Sequence, residues 1–109
     1  VKRRPKIEPP KSARRYARRF LKLHAELPPS KRATTATGYA QAERIAAGKQ
    51  VDAREIWAWF RRHCQHAVEA ELQGLGPEDS KAIQASWAWG HWPMFRAAAR
   101  AVGESSWCP

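Results

Sequence analysis

Tyr16, Phe20, Leu23 and Leu27 recur at steps of four, three and four, and a longer series, Ile56, Trp59, Phe60, His63/Cys64, Ala67 and Leu72, keeps the same helical period. The first series predicts an amphipathic helix capped by Ser12 and stopped by Pro28-Pro29. The second predicts an anchor helix from Asp52 to about Gln73, because Asp52 with Glu55 three residues on has the form of a capping box and Gly74 and Gly76 break the pattern. Between them, Tyr39, Ala42, Ile45 and Ala46 predict a helix from Gly38 or Tyr39 to Ala47, ended by Gly48 in the left-handed position after the last turn. Pro77 in a first turn, or Ser80 as a cap, opens a fourth helix with Ile83, Trp87 and Trp89, stopped by Gly90. His91-Trp92-Pro93 reads as a tight connection into a last helix, Met94 to Val102, ended by Gly103. Strand-period alternation and internal repeats are missing, so the expected class is all-α: about five short helices around a Trp-rich core, with an extended basic N-terminal arm.

The arm covers residues 1–11, where Pro5, Pro9 and Pro10 among Lys and Arg disfavour a helix and leave a segment expected to order only on a partner. Residues 12–109 are expected to form one helical domain: the basic first helix 12–27, a linker 28–37, a neutral helical body 38–103 and a tail 104–109. Six tryptophans in 109 residues mean that a few large rings fill the interior. The aromatic face of the anchor helix is expected to hold the first helix in place.

Charge changes this picture most. Up to Ala36 the chain carries twelve Lys and Arg against Glu8 and Glu26; from there on it carries eight against eight, so the whole net charge of +10 lies in the first third. Its favoured partner is a polyanion, with nucleic acid, DNA or RNA, the commonest. The expected phosphate ligands are Lys2, Arg3, Arg4, Lys6, Lys11, Arg14, Arg15, Arg18, Arg19, Lys22, Lys31 and Arg32. A solvated tail or a contact with an acidic protein surface is the plainer reading of the same charge.

No apolar run approaches membrane-spanning length, and no apolar segment follows the basic N-terminus as in a secretory signal, so no membrane partner and a cytoplasmic location are expected. A chain that begins at Val1 without a methionine is expected to be a processed or trimmed piece of something longer. Two cysteines, Cys64 and Cys108, do not make a disulfide framework; reduced thiols are the expectation unless the tail folds back on the anchor helix.

Other chemistry is thinly represented. Helix, glycine turn, helix over Tyr39 to His63 suggests a DNA-reading helix-turn-helix, but the turn is long, Val51 must pack inside it, and Asp52 and Glu55 at the exposed helix start repel phosphate. His63 and His66, one turn apart, invite zinc, yet no Cys-x-x-Cys knuckle accompanies them, so no metal and no cofactor are expected. Cys64 lies on an apolar stripe, where a thiol is usually inert, and Glu69 and Glu71 do not face each other, so no catalytic residues are expected. No phosphate-cradling glycine loop is present, and Trp87-Ala88-Trp89-Gly90-His91-Trp92 is expected to be mostly core.

Thr37-Gly38, Ala42, Arg44-Ile45, Gly48-Lys49, Val51, Ile56, Phe60, Arg62-His63, Ser80, Ala85 and Trp89-Gly90 together resemble a family of small helical proteins of unknown function found in tailed-phage genomes and related mobile elements. The resemblance covers roughly the middle half of the chain and departs at Trp57-Ala58-Trp59 and after Gly90, where His91-Trp92-Pro93 replaces a glycine-acidic turn. It implies an α-helical fold and a phage context, and carries no catalytic residue.

The expected function is thus that of a non-enzymatic nucleic-acid-binding accessory protein, phage-encoded by resemblance, that touches phosphates through its arm and first helix. The alternative is a structural or cement-type protein of a virion or other large assembly, whose arm binds neighbouring subunits. A metal-dependent nuclease fragment is the third class.

Overall fold

Apolar residues three and four apart, closed by glycine or proline, generate the five α-helices seen in the computed structural model, which describes residues 5–32 and 35–109. In order they are β1 (Lys6–Ile7), α1 (Lys11–Glu26), a 3-10 helix (Pro29–Lys31), α2 (Ala36–Ala46), β2 (Val51–Asp52), α3 (Ala53–Leu72), α4 (Lys81–Ala88) and α5 (His91–Val102). The class is all-α, with one two-stranded antiparallel ladder among the described residues. None of the described helices is long and apolar enough to cross a membrane.

The caps explain most boundaries. Asp52 Oδ1 accepts from Arg54 N and Glu55 N, at 2.9 and 3.2 Å, and starts α3 where the sequence places it. The reciprocal half of the capping box does not form, because Glu55 Oε1 accepts from Gln41 Nε2 instead. Ser80 Oγ caps α4 through Ile83 N. Thr35 Oγ1 accepts from Gly38 N and starts α2 at Ala36, earlier than expected, so the linker is shorter. The start of α1 is corrected as well: Pro10, with no side-chain cap, precedes it and accepts from Arg14 N at 3.0 Å, while Ser12 is an exposed second-position residue. His91-Trp92-Pro93 is the first turn of α5 and not a connection, since proline in a first turn gives up no helix hydrogen bond.

The arm finds its partner within the chain. Lys6 pairs with Asp52 and Ile7 with Val51, Pro5 O accepts from Ala53 N at 2.9 Å, and Pro9 is buried, so from Pro5 onward the arm is extended but packed. Ile7 and Val51, the apolar members of the two short strands, make the pairing worthwhile. Lys2, Arg3 and Arg4 lie outside the described residues.

Phe20, Phe60 and Phe95 are the largest fully buried side chains, with Phe60 and Phe95 stacked at 5.0 Å and Trp59 stacked on Trp89 at 4.8 Å. Trp89 is buried, whereas Trp57, Trp59, Trp87 and Trp92 are half-buried against the core. The buried seam of α3 is Ala53, Ile56, Phe60, Cys64, Ala67 and Ala70. Leu72, expected on that seam, is 82% exposed; at 3.6 residues per turn it stands about 120° away from the centre of the seam. A second correction concerns α1, which is held chiefly by α2, α4 and α5, with Tyr16 against Trp87 and His91 and Phe20 against Tyr39. The anchor helix α3 packs on the other side of α4 and α5 and does not carry it.

Contrary to the expectation of reduced thiols, Cys64 and Cys108 form a disulfide, their Cα atoms 6.0 Å apart. After Gly103, at φ +72°, the tail returns along α3: Ser105 O accepts from Trp57 Nε1 and Trp107 O from Arg61 Nη1, both at 2.9 Å. Those contacts bring Cys108 to Cys64.

Gly90 has φ +91°, and a Cβ there would lie 2.6 Å from Met94 Cβ and 3.3 Å from Ala13 Cβ. Gly103 shares the left-handed backbone but has open space around it. Gly103→Ala is therefore expected to cost about 1 kcal/mol from backbone strain alone. Gly90→Ala should cost about 3 kcal/mol, because overpacking is added to that strain. Denaturant unfolding of the two variants checks this; equal losses would contradict the close approach.

Candidate nucleic-acid interface

The spacing of charge along α1 builds the candidate site. Ala13, Ala17 and Phe20 are buried, and Lys11, Arg15, Arg18, Arg19 and Lys22 are all exposed. Lys11, Arg15, Arg18 and Lys22 follow one another at steps of four, three and four, which on a helix places them in one row with Arg19 beside it, roughly 16 Å long. Among the described residues none of these five is ion-paired, and the one acid on the helix, Glu26, is at its far end. Phosphates presented to this face meet five cations, and α1 itself places no carboxylate among them.

The structure does not treat the remaining predicted ligands alike. Arg14 is half-buried: its Nε donates to Pro9 O at 2.9 Å and its guanidinium lies against Gly48. Arg32 Nε donates to Leu27 O at 3.0 Å and so closes the end of α1. These two cations serve the fold. Lys31 is exposed, and its carbonyl accepts from Gln84 Nε2 at 3.0 Å. Lys6 is exposed at a cleft of about 480 Å³ that it shares with Arg44, Asp52 and Glu55, so the charge there is mixed. Lys2, Arg3 and Arg4 fall outside the described residues.

A second grouping escaped the sequence reading. Arg54 and Arg61 lie over the ring of Trp57, at 5.5 and 5.8 Å from its centre. Steps of three and four, Arg54 to Trp57 to Arg61, are the signal that could have found it, since such residues share a helix face.

The groups that resemble catalytic or metal centres make contacts within the fold. Among the described residues no group of three or more His, Cys, Asp or Glu is placed to hold a metal ion. Cys64 and Cys108 are bonded to each other, which leaves neither thiolate free as ligand or nucleophile. Ser86 Oγ lies 2.8 Å from His91 Nδ1, and His91 Nε2 lies 3.6 Å from Glu71 Oε2, an order of groups familiar from serine hydrolases. Ser86 and His91 are buried, however, with 1% and 3% of their surfaces exposed. Glu71 also accepts from Trp92 Nε1 at 3.0 Å, so the three residues tie α3, α4 and α5 together. Burial first, and Arg96 second, push His91 down to about 4, and the water-exposed Glu71 carboxylate does not reverse this.

A small all-α protein with one uncompensated cationic helix face is the class these features define. No protein-family model, curated protein or solved structure matches the chain.

His91 makes stability depend on pH. Its folded pKa lies below its unfolded value of 6.5, so the unfolded chain binds the proton more tightly and stability is lost as pH falls from 6.5 toward about 4. Denaturant unfolding at successive pH values should show a loss of about 2 kcal/mol between pH 7.5 and pH 5. His91→Gln should remove most of that slope; a variant that keeps it would place the titration elsewhere.

Proposed function

We propose that the chain binds the phosphate backbone of a nucleic acid through the exposed face of α1 and acts without catalysis. The observation that carries this reading is the row Lys11, Arg15, Arg18 and Lys22 with Arg19 beside it, unpaired among the described residues, on a helix whose opposite side is docked by Ala13, Ala17 and Phe20. A row of exposed cations displaces counterions from phosphates, and contacts to phosphate carry no sequence information. Binding is then largely independent of sequence. Lys31, exposed just after α1, adds a further cation, Lys6 lies at a cleft of mixed charge, and Lys2, Arg3 and Arg4 are placed by the sequence at the same end of the chain as α1. The resemblance to the tailed-phage family supports a phage-encoded protein working in the host cytoplasm.

A structural role in a virion or similar assembly is the second reading, and two observations favour it. Leu72 and Trp107 are 82% and 70% exposed, as residues covered by neighbouring subunits are when viewed alone. The Cys64–Cys108 bridge is also of a kind that persists better on particle surfaces than in a reducing cytoplasm.

A salt-titrated binding assay tests the first reading. About five phosphate contacts give a slope of log K against log salt near −4.5 on duplex DNA. Replacing Arg15, Arg18 and Lys22 together by Gln should flatten that slope by about 3 and leave the unfolding midpoint unchanged, since all three are exposed. Affinity that ignores salt, or that survives the triple replacement, would sink the proposal, and co-sedimentation with capsids without nucleic-acid binding would select the second reading.

A further inference from the structure

The tail displays one tryptophan in a fixed position. The N–H of Trp107 donates to Ser105 Oγ and its carbonyl accepts from Arg61 Nη1, both at 2.9 Å. The next residue, Cys108, is covalently joined to Cys64 on α3, and two residues earlier Ser105 O accepts from Trp57 Nε1. The backbone on both sides of Trp107 is therefore pinned. Its ring is nevertheless 70% exposed and is not among the side chains packed on the core. An uncovered ring on a rigid backbone loses little entropy when a flat partner stacks on it.

The surroundings indicate which flat partner. Arg61 and Arg54 flank Trp57, Arg62 is exposed next to Arg61, and the acid nearest in sequence on this part of α3, Glu55, already accepts from Gln41. An exposed ring whose own carbonyl accepts from the Arg61 guanidinium brings an aromatic face and a cation to one place, which suits an unpaired base with its phosphate, whereas a continuous duplex hides its base faces.

We propose that Trp107, with Arg61, forms a second nucleic-acid contact in which a base of a single strand stacks on the indole. The inference rests on the nucleic-acid reading of α1 and adds the kind of strand preferred: one with unstacked bases. The disulfide contributes by holding the backbone that carries the indole, so reduction weakens the contact.

The test uses the full, oxidised chain with two probes of equal length, an oligothymidylate and a hairpin-closed duplex. Trp107→Ala is expected to weaken oligothymidylate binding about tenfold and to leave duplex binding unchanged. Trp107→Phe should recover most of the loss, because a second ring can stack, and Cys108→Ser should fall on the weakened side. The Arg15, Arg18 and Lys22 replacement should weaken both probes alike. Wild-type affinity for oligothymidylate in Trp107→Ala overturns the proposal and would leave the ring to a protein partner. If both probes bind through α1 and Trp107→Ala changes neither, this inference alone fails; if wild type binds neither probe, it fails together with the reading of α1.

Discussion

The close approach of α1 to the turn between α4 and α5 is the constraint on which the rest depends. A Cβ at Gly90 would stand 3.3 Å from Ala13 Cβ, tighter than ordinary contact, and one residue on, His91 bonds Ser86 and meets the ring of Tyr16. Ala13 and Ala17 are fully buried beside Tyr16 and Phe20, so between those rings the helix backbone itself lies close against the body. Small residues at a contact let two backbones close up and turn the long side chains outward. On α1 those long side chains are arginines and lysines. The geometry of the seam thus decides which way the cationic row faces.

The same economy governs the other side of the molecule. On α3 the seam is again small and medium-sized residues around Phe60, and the tryptophans settle at its margins, where the indole N–H can reach a partner: Trp57 on Ser105 O and Trp92 on Glu71. Rings half-buried in this way link the tail and α5 to α3 while leaving faces available to guanidinium groups. The disulfide closes a separation of 44 residues, which in the chain-entropy account is worth about 4 kcal/mol. For a chain of this size that is a large share of total stability, and it fixes a tail that has few apolar contacts of its own.

Two surfaces follow, on different helices. The face of α1 is a row of point charges without a ring among its exposed residues, suited to a backbone of phosphates. The tail on α3 offers a ring with few neighbours, suited to stacking. Chemically they are complementary halves of one kind of ligand, although each stands or falls on its own measurement.

Helical period and end signals alone determined the class, the number of helices and most of their limits, because Asp52, Ser80, Gly48 and Gly103 act on neighbours within a turn or two. They also determined that Arg15, Arg18 and Lys22 share a face, since three-and-four spacing on a helix permits nothing else, whereas Lys11, expected in the arm, joins that row because α1 begins at it. Only the tertiary structure decided that Arg14 and Arg32 are spent on backbone carbonyls of the chain itself, that Ile7 pairs with Val51, and that Cys108 reaches Cys64. Each of these depends on residues from five to several tens of positions apart meeting in space. A linear pattern reports which face a residue is on, and packing alone reports what, if anything, that face touches.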